Sequence, residues 1–138
     1  MIRSALVLLA GVVVAVIVVT LMDMVVGRIY ALPAGTDPSN PESLRQAVAR
    51  LPVGAFLLLV AGWTLAAAAG SYVAARLATH ARPTHGLIVA GFVLVATVSN
   101  LAAIPHPAWL WPATIILIPV SGWLAARLVV RQPLRRAR

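Results

Sequence analysis

The chain has 138 residues, 62% of them hydrophobic and only 10% charged, with a mean hydropathy of +0.98. So little polar surface cannot cover a soluble globule of this size, so the composition excludes one and gives an integral membrane protein. The net charge of +8 rests on eleven arginines, with no lysine, against three acids. Because the arginines flank apolar runs, the expected partners are the lipid bilayer and its anionic headgroups, and nucleic acid is not expected. The absence of cysteine excludes disulfides, thiolate metal sites and thiol catalysis.

The first apolar run is read as a span over residues 5–27. A secretory signal has an apolar core of about 7 to 15 residues followed by a small-x-small cleavage site. Here eighteen apolar or weakly polar residues, Ala5 to Met22, precede Asp23, so a retained first span is expected. The loop 28–50 follows, where Pro33, Gly35, Pro38 and Pro41 oppose a continuous helix. Within it Ser39 and Glu42 fit a capping box, and Leu44, Ala47, Val48 and Leu51 keep helical spacing. That pattern predicts an amphipathic helix over 41–50 lying on the membrane surface, with Arg45 and Arg50 toward headgroups.

The second span, 51–75, carries Gly62, Ala66, Gly70 and Ala74 at every fourth position, a face of small side chains that lets another helix backbone approach closely. Trp63 and Thr64 lie near its middle. The third span, 86–104, is stopped by Pro105 and Pro107, and Trp109 and Trp111 then fall where an interfacial aromatic belt lies. The fourth span, 108–130, contains Pro119, which removes one backbone hydrogen bond and predicts a kink near Ile115. The fold class is therefore all-α, an integral membrane four-helix bundle in a single domain.

Arg3, Arg76, Arg82 and five arginines from Arg127 onward fall on one side of this topology, against Arg28, Arg45 and Arg50 on the other. The positive-inside rule then puts both termini in the cytoplasm, in the cell inner (plasma) membrane, with the proline-rich loop outward. Ala74-Ala75-Arg76-Leu77 recurs as Ala125-Ala126-Arg127-Leu128, and Ala10-Gly11 as Ala90-Gly91. These matches fit two parallel helical-hairpin repeats, or chance in a chain rich in Ala, Val and Leu.

Asp23 is the only acid inside a span, and an ionisable group there is a functional hypothesis by default. Asn100 is expected at a similar depth in the third span. In one reading the two pair across the bundle and, with Arg28, Tyr30 and His106, line an outward-facing polar pocket. In the other Asp23 marks the headgroup boundary and Asn100 joins helices. Arg76, Arg127 and Arg131 are candidates for anionic-lipid contact, or simply positive flanks. His80, His85 and His106 cannot share one metal site, since the first two fall on the opposite side from the third. No P-loop, nucleophile elbow or zincin motif is present, so no metal, cofactor or catalytic residue is expected.

The acidic residue late in the first span, the loop pattern Tyr30, Pro33, Gly35, Asp37, Pro38, and Leu51-Pro52 opening the next apolar run resemble uncharacterised small bacterial four-span integral membrane proteins. The resemblance implies no activity and assigns no functional residue. The function expected is a structural or accessory membrane component that associates, as a homo-oligomer or with a membrane protein partner, through small-residue helix faces. A small transporter or channel with a polar path near Asp23 and Asn100 is the alternative, and a lipid- or quinone-directed enzyme stands third.

Overall fold

The computed structural model describes residues 2–131, which form α1 (Ile2–Ile29), α2 (Pro41–Ala49), α3 (Val53–Leu77), α4 (Arg82–Ala103) and α5 (Leu110–Arg131). Arg135, Arg136 and Arg138, which entered the arginine count, lie outside the described residues. The four long helices are each long and apolar enough to cross a membrane and pack against one another as an all-α bundle.

Helix ends depart from the hydropathy reading where local chemistry outweighs it. α1 runs on through Arg28 to Ile29, because no helix-opposing residue comes before Pro33. α4 starts at Arg82 rather than at residue 86, since Pro83 sits in the first turn, where its missing N–H costs nothing. Ala81 caps it in the left-handed region at φ 45°, while Arg82 Nε donates to Ala78 O at 3.1 Å. α5 continues through Pro119 without interruption.

The expected Ser39 capping box is not the cap that forms. Asn40 caps α2, its side-chain oxygen accepting from the Glu42 and Ser43 N–H groups at 3.0 and 3.3 Å. Proline fixes the first helical position at Pro41, so the cap must be the residue immediately before it. Ser39 instead donates through its N–H and hydroxyl to Asp37 Oδ1, at 2.9 and 2.6 Å. Those bonds, the hydroxyl's above all, hold the Asp37 carboxyl below the usual carboxylate range. Val48 and Leu44 turn α2 toward the bundle, joining a cluster with Phe56, Leu101 and Leu110.

α3 packs against α1, α4 and α5, and α4 against α1 and α5, while α1 and α5 do not touch. The helices therefore stand in a rhombus whose short diagonal is α3 and α4. The α3 and α4 contact has no counterpart between α1 and α5, so the two hairpins are not symmetrically placed in the bundle. Gly91, the repeat partner of Gly11, faces open space.

The small-residue face of α3 is used within the chain. Gly62, Ala66, Gly70 and Ala74 are all buried. A Cβ on Gly70 would meet Gly11 O at 2.6 Å and Ala15 Cβ at 2.9 Å, and one on Gly62 would meet Met22 Cβ at 2.8 Å. Within the chain, α1 fills this face. On the other side of α3, Ser71 Oγ donates to Gly86 O at 2.8 Å, and Gly122 lets α5 approach Ser71 and Ala90. These close backbone contacts are the membrane substitute for a hydrophobic driving force.

Candidate functional site: a groove between α1 and α4

Where α1 and α4 diverge, a cavity of about 200 Å³ opens on the side of the bundle. Asp23, Thr20, Val19, Val16, Ala15 and Val12 line it from α1, Asn100, Thr97, Ala96, Val93 and Phe92 from α4, and Trp63 from α3. The spacing of Thr20 and Asp23, repeated by Thr97 and Asn100, puts both polar groups of each helix on one face. That shared three-residue spacing was the sequence signal for the site, and only its Asp23 and Asn100 half was read from it.

The contact among Gly11, Gly70 and Val89 fixes a common level for three helices. Asp23 and Asn100 stand about 18 and 16.5 Å above that level along α1 and α4, at roughly 1.5 Å per residue. They are thus at similar depth, as expected, three residues or so from the end of α4. The groove is layered. Asp23 and Asn100 are at the α2 end, Thr20, Thr97 and Trp63 about one turn deeper, and an apolar limb of Val12, Ala15, Val16, Phe92 and Val93 lies below. It ends blind, since the Gly11, Gly70 and Val89 contact closes the bundle beneath Val12.

The five residues expected to form one polar pocket do not assemble. Asp23 and Asn100 share the groove, but no hydrogen bond joins them among the described residues. Arg28 is exposed and lines no part of the groove. Tyr30 turns its hydroxyl to Gly54, where a Cβ would lie 2.6 Å from it. His106 sits edge-on to Phe56 and Trp63, with ring centroids at 6.0 and 6.4 Å. Its Nδ1 is 2.7 Å from Ile104 O; a carbonyl only accepts, so Nδ1 carries the proton. Trp63 thus separates His106 from the groove. The bundle's end near α2 is divided by an indole that a hydropathy reading treats as filler.

Thr97 Oγ1 shares its proton between Val93 O and Leu94 O of its own helix, at 2.9 and 3.0 Å. Thr114 is fully buried with an unpartnered hydroxyl, in the wall of the core rather than in the groove. At the opposite end, the Arg127 guanidinium stacks over the Trp123 ring at 3.9 Å, and Arg127 and Arg131 line a cavity of about 290 Å³ on α5. Arg76 is exposed in the last turn of α3. His85 is buried, with Nδ1 3.1 Å from Ala81 O and its ring edge-on to His80. Among the described residues no group of three or more His, Asp or Glu side chains could hold a metal ion.

Four helices of this length and apolarity, around a groove that is polar at one end and apolar along its depth, define the class: a multi-pass helical membrane protein. Comparison with protein-family models, curated proteins and solved structures gives no match.

Proposed function

We propose that this protein is an accessory component of the cell inner membrane that holds a lipid-like molecule in the groove between α1 and α4. The observation that carries the reading is the layering of that groove. Its polar groups stand near the helix ends, at headgroup depth, and its apolar limb runs on into the hydrocarbon layer. A transporter or channel needs a polar path through the bundle, and the blind, apolar floor at Val12 favours binding over conduction. No residue pair in the groove offers both an acid and a base, so the reading is of a binding rather than a catalytic role.

The arginine distribution supports an orientation with the α2 end outward and both termini cytoplasmic. Arg76, Arg127 and Arg131 would then meet anionic phosphates of the inner leaflet, and the Trp123 ring beneath Arg127 suits that depth. Self-association would use the exposed outer face of α1, since the small-residue face of α3 is filled.

Native mass spectrometry of the protein released from lipid nanodiscs tests the groove. A single bound amphiphile is expected on the native chain and its loss from Ala96→Phe, which fills the groove from an exposed position. Equal adducts on both would contradict the reading.

A further inference from the structure

The groove carries one charge and no counter-charge. Asp23 is the only ionisable residue that lines it, no arginine reaches it, and no hydrogen bond ties the carboxylate to the protein among the described residues. An unpaired carboxylate at the edge of a low-dielectric groove is complementary to a cation. About one turn deeper lies the Trp63 indole, the aromatic ring that attracts cations best, and Phe92 lines the wall beyond it. Asn100 adds an amide beside Asp23. Below this head, the limb from Val19 to Val12 offers about 10 Å of largely apolar wall, at 1.5 Å per residue.

The volume limits the occupant further. A cavity of about 200 Å³ falls below the roughly 300 to 1,000 Å³ of pockets that enclose drug-sized ligands, so it takes one alkyl chain and not a two-chain lipid. We propose that the groove between α1 and α4 binds a single-chain amphiphile with an ammonium headgroup, the cation seated between the Asp23 carboxylate and the Trp63 ring, the chain along Val19, Val16, Ala15 and Val12. This inference rests on the groove being a lipid-like binding site and adds the chemistry of its ligand.

The test uses the full chain in nanodiscs of zwitterionic lipid, with Trp109, Trp111 and Trp123 replaced by Phe so that Trp63 alone reports. Decyltrimethylammonium is titrated beside decanol, which has the same chain and no charge. A saturable change in Trp63 emission is expected from both probes, with the cation bound about tenfold more tightly. Asp23→Asn, neutral and nearly isosteric, should abolish that preference and leave decanol unchanged. Asp23→Glu should restore most of it, which separates lost charge from a disturbed fold. Ala96→Phe should remove both signals. Equal binding of the two probes by the native groove, or a preference that survives Asp23→Asn, would overturn the ammonium assignment while the groove still binds chains. No saturable, Ala96→Phe-sensitive signal from either probe would overturn the lipid-like binding site itself, and this proposal with it.

Discussion

Substituting Gly70 by Ala adds one methyl group at the close crossing of α1 over α3. The new Cβ would lie 2.6 Å from Gly11 O, 2.9 Å from Ala15 Cβ and 3.0 Å from Val89 Cγ1. The first of these is backbone, which cannot rotate away, so α1 and α3 must separate and loosen the Met22 and Gly62 contact in the same seam. Overpacking of this kind costs about 1 to 3 kcal/mol, and replacing a helical glycine returns up to about 1 kcal/mol of propensity. A net loss of up to about 2 kcal/mol is expected. Gly91→Ala is the control, because a Cβ there meets nothing within 4 Å, and it should be neutral or stabilising by its propensity gain alone. Unfolding of both variants in a mixed-micelle denaturant series, with sedimentation to record oligomeric state, measures the difference. Equal stabilities for the two variants, or a Gly70→Ala change confined to the oligomer distribution, would refute the intramolecular seam.

Three further outcomes follow from single contacts. Ser71→Ala removes the 2.8 Å bond to Gly86 O between α3 and α4, and should lower stability by about 0.6 kcal/mol and at most about 1.7 in the same assay. Asn40→Ala should weaken α2 by about 1 kcal/mol and raise amide exchange at Glu42 and Ser43, whose N–H groups it frees, whereas Ser39→Ala should leave those amides protected. Because the folded Asp37 pKa is depressed, its contribution to loop order is present above the unfolded value of about 3.9 and is lost as pH falls through the folded value. Carboxyl titration by NMR should show that depression in the native chain and its reversal in Ser39→Ala, with no reversal arguing against the Ser39 contact.

The four spans were legible in the sequence because apolar length and a few prolines decide them, and no tertiary contact can override twenty apolar residues. The Asn40 cap was legible too, had the proline at the first helical position been weighed above the capping-box pattern. The small face of α3 was visible as a close-packing surface, but not its partner. Gly11 and Gly70 share no local pattern, and only the crossing of α1 over α3 brings the carbonyl of each against the other's Cα. The groove was half visible, as Asp23 and Asn100 at matching depth. What periodicity cannot give is that α3 and α4 form the short diagonal of the rhombus, which keeps α1 from α5 and leaves the groove along its α1 and α4 side. The placement of Trp63, with His106 on one side and the groove on the other, follows from that diagonal.

The central claim is that the groove beside Trp63 is open to lipid chains. In the chain with Trp63 as its only indole, quenching by phospholipid brominated along its acyl chains measures that access directly. Trp63 is 4% exposed, and the groove is the route by which a chain reaches its indole. The account predicts strong quenching that Ala96→Phe suppresses and that Gly91→Ala leaves unchanged. Trp63 emission indifferent to the brominated chains, or quenched equally in Ala96→Phe, would contradict it.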